Sequence, residues 1–131
     1  MMKGNFEQPI LGIGNDIIEI ERIRKSMKAH GARFLSKLFS TKEQEYCLKH
    51  RDAAIHFAGR FSAKEAIVKA LGTGFGEQAS WLDIEILNEE SGKPYVYFSS
   101  SIQKKLADTK MHISISHCKL YATAFAIWTS R

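Results

Sequence analysis

The segment at positions 53–72, AAIHFAGRFSAKEAIVKALG, constrains the fold more than any other part of the sequence. Apolar residues recur along it with the spacing of one helical face, which predicts a long helix that ends in the glycine-containing loop 72–74. The residues of this face are Ile55, Ala58, Phe61, Ala66, Ile67, Ala70 and Leu71. Because Phe57 adds further apolar surface, little of the helix is left to face solvent, and other elements must pack around it.

The segment 10–20, ILGIGNDIIEI, is predicted to open the fold as a strand. Its glycines, Gly12 and Gly14, indicate a bulge or a close approach by another backbone or a ligand. Its first apolar residues suit a buried strand: Ile10, Leu11 and Ile13.

Three shorter helices are predicted between this strand and the long helix. They cover approximately residues 20–30, 34–38 and 41–50. The third is marked by Ser40 and Glu43, which have the spacing of a capping box.

The second half of the chain is predicted to be mostly strand. Residues 81–87 alternate apolar and acidic side chains, and a turn at 89–93, with Gly92 at positive φ, leads to a returning strand at 94–98. A short amphipathic helix over 99–109 and a final hairpin over 112–128 follow. Helices early and an antiparallel sheet late predict the α+β class.

Size and composition are those of one soluble globular domain spanning 1–131. The chain has 131 residues, of which 44% are hydrophobic and 25% charged. That excludes general disorder. A domain of this size buries a modest core, so oligomerisation is a natural supplement.

The net charge of +5 favours anionic partners such as phosphates, nucleic acid or an acidic protein. An excess of this size also serves solubility alone. The two cysteines, Cys47 and Cys118, have no metal-ligand spacing and predict a reducing compartment. Residues 1–10 have no apolar core of signal-peptide length, and no stretch is long enough to span a membrane. We therefore expect a cytoplasmic protein that does not bind membranes.

The first candidate site is Asp16, which follows Gly12 and Gly14 in the motif GIGND. An acidic residue at the end of a strand can hold a cation near a phosphate, and the glycines let a ligand approach closely. The same aspartate could instead cap the helix that follows.

The second candidate is the charged group of the long helix. Glu65 and Lys69 are four residues apart and share a face, as do Arg60 and Lys64. A carboxylate between two lysines on a mostly buried helix suits a site for a metal and a phosphate. The alternative is a set of ordinary solvent-exposed ion pairs.

Loop and histidine positions carry weaker signals. Residues 72–76, GTGFG, form no complete P-loop and predict either a helix cap or a loop that borders a ligand. His112 and His117 lie five residues apart, so on a straight strand they face opposite sides. Only His117, at the end of the hairpin strand, is placed to reach a ligand.

These motifs together resemble the phosphopantetheinyl transferase superfamily. The signature pair is GIGNDIIEI near the N-terminus and FAGRFSAKEAIVKALGTG at 57–74, and the likeness extends from about Leu11 to Trp128. The short chain, GKPY at 92–95 and HISISH at 112–117 are similar to its holo-acyl-carrier-protein synthase branch.

The resemblance implies a fold and a reaction. The fold is α+β, with a curved antiparallel sheet packed against a long helix, and it assembles as a homotrimer with active sites between subunits. The reaction transfers 4'-phosphopantetheine from coenzyme A to a serine of apo-acyl carrier protein, with adenosine 3',5'-bisphosphate as the second product, and supports fatty acid biosynthesis.

The resemblance also implies residue roles. Asp16 and Glu65 match the magnesium ligands, and Lys69 matches a lysine that serves the phosphates or the leaving group; these three are the expected catalytic residues. Positions matching the coenzyme A site are Arg60, Lys64, Lys69, Gly72, Thr73 and Gly74. His117 matches a histidine found in only some members, so its contribution to that site is open. The surface that meets the acidic carrier protein matches Arg22, Arg24, Lys25 and Lys28.

The implied chemistry suits these residue types. Phosphoryl transfer is catalysed chiefly by positioning and charge neutralisation, and carboxylate ligands favour Mg²⁺, or Mn²⁺, over zinc. The base that deprotonates the carrier serine is either Glu65 or a metal-bound water, and the sequence leaves both open.

Two other classes of function compete with this one. A nucleic-acid-binding module is favoured by the net charge, but it requires aromatics interleaved with basic residues on one face, whereas the aromatics here lie in apolar stripes. A trimeric scaffold without activity is disfavoured because Asp16, Glu65 and Lys69 occur together.

Overall fold

The computed structural model describes residues 9–131. Its elements are β1 (Ile10–Glu19), α1 (Ile20–His30), α2 (Ala32–Leu38), α3 (Thr41–Leu48), α4 (Ala53–Leu71), β2 (Ile84–Asn88), β3 (Pro94–Phe98), α5 (Ser100–Gln103), β4 (Thr109–His117) and β5 (Tyr121–Ser130), with a 3-10 turn at Trp81–Asp83 before β2. The segment 1–8, which holds most of the stretch interpreted as lacking a signal peptide, lies outside the described residues.

Two antiparallel sheets pack with the long helix α4. One sheet has the strand order β1-β5-β4, and the other pairs β2 with β3. Helix α4 lies on the inner face of the three-stranded sheet and also contacts α1, α3 and β2. The predicted α+β class, with an antiparallel sheet against a long helix, is confirmed.

Small residues bring α4 close to the sheet. The inward positions of β5 are Ala122, Ala124 and Ala126, all buried, and α4 presents buried alanines towards them. On β1 the approach is closer still: a Cβ placed on Gly14 would lie 1.9 Å from the carbonyl oxygen of Ala66. A Cβ on Gly12 would lie 1.9 Å from the carbonyl oxygen of Ala70. Only glycine fits at both positions, and the predicted close backbone approach is confirmed.

The prediction that Ile10, Leu11 and Ile13 are buried is wrong for the single chain. Their side chains are 51%, 40% and 60% exposed. The glycines occupy the positions of β1 that face α4, and because side chains alternate along a strand, Ile13 points to the outer face of the sheet.

Two predicted elements are shorter than expected. The strand expected from Trp81 begins only at Ile84, because Asp83 accepts hydrogen bonds from the backbone N–H and hydroxyl of Ser80 and closes a helical turn. The helix expected over 99–109 covers only Ser100–Gln103, and the chain then passes through turns to Asp108, whose φ is 62°.

Three local predictions hold. Ser40 and Glu43 form the capping box of α3. Helix α4 ends at Gly72, with φ 76°, and Gly92 takes φ 93° in the turn between β2 and β3. None of the helices in the described part of the chain combines the length and apolar character needed to cross a bilayer.

We expect Gly14→Ala to destabilise the protein strongly. A methyl group at this position would collide with the backbone of α4, and neither backbone can rotate away as a side chain could. The expected loss in the free energy of unfolding is about 3 kcal/mol or more, at the upper end of overpacking effects. Urea unfolding measures it, with Glu90→Ala, at an exposed position in the turn between β2 and β3, as the control. A loss below about 0.5 kcal/mol, typical of a surface substitution, would contradict the packing described.

Candidate active site

Three of the predicted site residues meet where β1 crosses α4. Lys69 Nζ donates hydrogen bonds to Asp16 Oδ1 at 3.1 Å and to the carbonyl oxygen of Asn15 at 3.0 Å. Asp16 follows Gly14 by two residues, so it points to the same face of β1, towards the helix. Glu65 lies one turn before Lys69 on α4. The tight glycine contact therefore places a carboxylate of β1 beside a carboxylate and a lysine of α4.

The cluster contains two carboxyl groups, those of Asp16 and Glu65, and one ammonium group, that of Lys69. Burial raises the pKa of Glu65, the negative charge of Asp16 raises it further, and Lys69 opposes both effects. The Lys69 side chain is 51% exposed whereas that of Asp16 is 15% exposed. Two carboxylates thus share a partly desolvated space with one lysine whose ammonium remains accessible, an arrangement that attracts a cation.

The donor set fits a hard divalent cation that the substrate helps to bind. In the described part of the chain, no three His, Cys, Asp or Glu side chains are grouped so that they could hold a metal ion. Mg²⁺ in proteins is commonly bound by one or two carboxylates, with waters and substrate phosphates completing its shell. Asp16 and Glu65 would supply such a pair.

Arg60 lies on α4, one turn before Lys64, and is only 4% exposed. Its Nη2 donates to Asn88 Oδ1, and its guanidinium carbon lies 4.2 Å from the centroid of the Tyr46 ring. Its Nε is buried and has no hydrogen-bond partner among the described residues. Arg60 borders an open cavity of about 340 Å³ that Lys42, Tyr46 and Asn88 also line. A guanidinium at the edge of a cavity suits an anionic ligand.

The loop 72–74 leaves its outer side open. Gly72 and Gly74 both take positive φ, at 76° and 61°. A Cβ at either position would meet nothing within 4 Å. Here the backbone conformation, not crowding, requires glycine, and a ligand can approach the main chain closely.

The interpretation of Lys64 as a coenzyme A ligand does not fit its position. Its side chain is fully buried, and Nζ donates to Glu43 Oε1 at 2.8 Å and to the carbonyl oxygens of Leu38 at 2.6 Å and Trp81 at 3.1 Å. Burial lowers the pKa of Lys64, and Glu43 opposes that shift. All three ammonium hydrogens of Lys64 are donated to hydrogen bonds within the core. This lysine therefore connects segments of the fold beneath the site and does not face a ligand.

The remaining candidates lie outside the cluster. The ring of His117 contacts the ring of His56 edge-on, with centroids 6.2 Å apart. His117 is on β4, two strands from β1, so on the order of 10 Å separates it from Asp16. The basic residues Arg22, Lys25 and Lys28 are exposed along α1.

Arg24 differs from its neighbours on α1. It donates to Asp52 at 2.7 Å and to Glu21 at 3.2 Å. The hydrogen bond to Asp52 raises the pKa of Arg24 and lowers that of Asp52. This pair ties α1 to the start of α4, so part of the charge of Arg24 is already compensated within the chain.

The sequence did not reveal that Glu43 supports the site from within the core. Besides Lys64, Glu43 accepts hydrogen bonds from the backbone N–H groups of Ser40 and Ile86, each at 2.9 Å. The capping-box spacing was a signal for the first of these bonds, but it gave no indication of the partners on α4 and β2.

The chain was compared with known families and proteins. The family model of the 4'-phosphopantetheinyl transferase superfamily matches residues 12–126. A holo-[acyl-carrier-protein] synthase of Protochlamydia amoebophila is 60% identical over 120 residues, covering 92% of this chain and 98% of the relative. One of Chlamydia caviae is 53% identical over 115 residues, covering 88% and 93%.

Solved structures are similar over the same length. A holo-(acyl-carrier-protein) synthase from Bacillus anthracis, in complex with CoA (3',5'-ADP), has a TM-score of 0.81 and 36% identity, covering 95% of this chain and 100% of its own. The Helicobacter pylori holo-[acyl-carrier-protein] synthase in complex with coenzyme A has a TM-score of 0.82 and 33% identity, covering 89% and 99%.

Replacing the two lysines of α4, Lys64 and Lys69, should lower the free energy of unfolding by clearly different amounts. We expect Lys64→Met to reduce the free energy of unfolding by about 3–5 kcal/mol, because it leaves Glu43 buried without its cation. The matched change Lys69→Met removes a half-exposed ion pair, which is worth about 1 kcal/mol or less. Urea unfolding of both variants at neutral pH is the measurement. Equal losses would contradict the different roles assigned to the two residues.

Proposed function

The chain belongs to the 4'-phosphopantetheinyl transferase superfamily, and we propose that it is a holo-acyl-carrier-protein synthase acting in the cytoplasm. It transfers 4'-phosphopantetheine from coenzyme A to a serine of apo-acyl carrier protein, releases adenosine 3',5'-bisphosphate, and so supports fatty acid biosynthesis. The observation that carries the proposal is the meeting of Asp16, Glu65 and Lys69 at the crossing of β1 and α4.

In the proposed reaction, the serine oxygen of the carrier attacks the phosphorus that bears the pantetheine arm, and the pyrophosphate bond to the nucleotide breaks. Asp16 and Glu65 would hold Mg²⁺, or Mn²⁺, which when bound neutralises the pyrophosphate oxygens and stabilises the leaving group. Lys69 is exposed enough to turn from Asp16 to a phosphate oxygen and donate a charge-assisted hydrogen bond. The serine proton would pass either to Glu65 or to a metal-bound water.

The coenzyme A site is proposed to extend from this cluster along both directions of α4. At one end, the open backbone of the loop 72–74 lets the substrate lie close to the chain. At the other, the guanidinium of Arg60 and the cavity that it borders suit a phosphate of the nucleotide. Lys64 is left out of the site because its ammonium is enclosed in the core.

We expect Asp16→Ala and Glu65→Ala to abolish the transfer while the protein stays folded. Each change removes a ligand worth several kcal/mol in the transition state, so the rate should fall by roughly a thousand-fold. The assay mixes the protein with coenzyme A, Mg²⁺ and apo-acyl carrier protein and follows the heavier holo form by mass spectrometry. Glu45→Ala, at an exposed glutamate of α3, is the control. Near-normal turnover by either site variant in saturating Mg²⁺ would refute the metal assignment.

The carrier protein is proposed to dock on α1. The exposed Arg22, Lys25 and Lys28 form a basic surface, and the buried Ile20 and Ile23 fix the helix to the body. Acyl carrier protein is acidic, so complementary charge would steer the encounter and set its orientation. Arg24 contributes less, because it is already bonded to Asp52.

We expect Arg22→Glu to raise the KM for the carrier protein strongly and to leave the KM for coenzyme A nearly unchanged. The effect should shrink as salt is added, since exposed charges are screened over roughly 10 Å at 0.1 M ionic strength. Steady-state kinetics at two salt concentrations measure this, with Lys93→Glu, at an exposed position in the turn between β2 and β3, as a control of equal charge change. An equal rise in both KM values would mean that α1 supports the active site and is not a docking surface.

The protein is proposed to assemble as a homotrimer through the outer face of its three-stranded sheet. Four apolar side chains lie exposed there: Ile13 at 60%, Ile17 at 66%, Phe125 at 49% and Ile127 at 37%. A contiguous apolar surface of this kind is typical of an interface. Asp16 points to the opposite face of β1, but β1 is the edge strand of this sheet, so a neighbouring subunit would approach the catalytic cluster around that edge.

We expect light scattering to give a trimer for the wild-type protein and a smaller species for Phe125→Glu, which places a charge in the apolar face. Turnover should fall together with the trimer. Tyr97→Glu alters an exposed aromatic residue of the β2–β3 sheet and serves as the control. A stable, fully active monomer of the wild-type protein would rule out the assembly.

A further inference from the structure

Three aromatic rings connect the glycine-rich loop to the long helix. Trp81, in the 3-10 turn before β2, stacks on Phe61 of α4 with ring centroids 4.9 Å apart and an interplanar angle of 28°. The same indole stacks on Phe75 of the loop, at 3.9 Å and 14°. Near-parallel contacts at these distances are favourable aromatic arrangements.

Backbone hydrogen bonds hold the loop on either side of Phe75. The backbone N–H groups of Thr73 and Gly74 both donate to the carbonyl oxygen of Val68, at 3.1 and 3.3 Å, which fixes the beginning of the loop to the last turns of α4. Gly76 N–H is next held by the carbonyl oxygen of Ala79 at 2.9 Å. Phe75 lies between these points and is flanked by Gly74 and Gly76, whose backbones are the least restricted of any residue type. The Phe75 ring is the large apolar side chain that attaches this stretch to the rest of the protein.

Trp81 is itself firmly held. Its carbonyl oxygen accepts a hydrogen bond from Lys64 Nζ at 3.1 Å. Lys64 is fully buried, is paired with Glu43, and directly precedes Glu65 in the chain. Trp81 therefore contacts both the loop, through Phe75, and the turn of α4 that carries Glu65, through Lys64.

We propose that Phe75 is a positioning residue for coenzyme A, which holds the loop 72–76 against Trp81 so that the loop forms a wall of the substrate site. This inference rests on the proposed function and deepens it. The ring acts through the loop and makes no contact with the reacting atoms. Its loss frees the loop, which must then be ordered each time coenzyme A binds, and that cost reduces affinity. The chemical step, which depends on Asp16, Glu65 and Lys69, is left intact.

Kinetics distinguish a positioning role from a general loss of structure. We expect Phe75→Ala to raise the KM for coenzyme A by about 3- to 10-fold, the range that corresponds to loss of one aromatic contact. Both kcat and the KM for the carrier protein should stay within about two-fold of wild type. Phe75→Tyr keeps the ring and should restore the KM. Leu82→Ala, at an exposed residue of the same 3-10 turn, is the matched control and should behave like wild type.

Fluorescence gives a readout that does not depend on turnover. The chain has two tryptophans, so Trp128→Phe leaves Trp81 as the reporter. In this background Phe75→Ala should make Trp81 more accessible to acrylamide. Adding 3',5'-ADP or coenzyme A should protect Trp81 from quenching, and the protein that keeps Phe75 should need a lower ligand concentration for this than the Phe75→Ala variant.

Three results would overturn the inference. The first is an unchanged KM for coenzyme A in Phe75→Ala together with unchanged quenching of Trp81. The second is a parallel fall in kcat, in both affinities and in thermal stability, which would make Phe75 a purely structural residue. The third is a wild-type protein that neither binds coenzyme A by calorimetry nor modifies the carrier, which removes the proposed function as well. In the first two cases the wild-type enzyme remains active, so the two failures are distinguishable.

Discussion

The contact between the backbones of β1 and α4 is the constraint on which the rest of the structure depends. Gly12 and Gly14 lie so close to the carbonyl oxygens of Ala70 and Ala66 that no side chain fits between strand and helix. This approach gives the helix its place on the sheet. It also brings Asp16 within hydrogen-bond distance of Lys69. The same contact therefore packs the core and brings the site residues together.

Beneath the site, stability comes from charge as well as from apolar packing. Glu43 and Lys64 are both fully buried, and each uses its remaining hydrogen-bonding capacity on the backbone of neighbouring segments. A buried ion pair is expensive to desolvate and is retained where its geometry fixes neighbouring elements. Here it joins α3, α4 and β2 at one point, next to Glu65, the carboxylate proposed to take part in catalysis.

Much of this arrangement could be predicted from the sequence because the signals are local. The long helix, its glycine stop, the capping box at Ser40 and the close approach at Gly12 and Gly14 each follow from the residues themselves. The buried position of Lys64 could not be predicted, because its partner Glu43 lies on a different helix. In the sequence, a lysine next to Glu65 looks the same whether it binds a ligand or pairs with a carboxylate in the core. The exposure of Ile13 was missed although the sequence held a signal for it, because glycines that approach the helix at 12 and 14 turn the residue between them to the other face of the strand.

The pairing of β1 with β5 has a consequence for how the protein reaches its active form. Asp16 lies opposite Ala124, 108 residues further along the chain, whereas α1, α2 and α3 have most of their contacts with segments much closer in sequence, such as α4 and β2. Contacts between distant segments close slowly, because the intervening chain must first give up its conformational freedom. The helices can therefore gather early, whereas β1 gains its hydrogen-bonded neighbour only when β5 joins the sheet. We therefore expect the crossing of β1 and α4, and with it the proposed site, to become stable only late in folding.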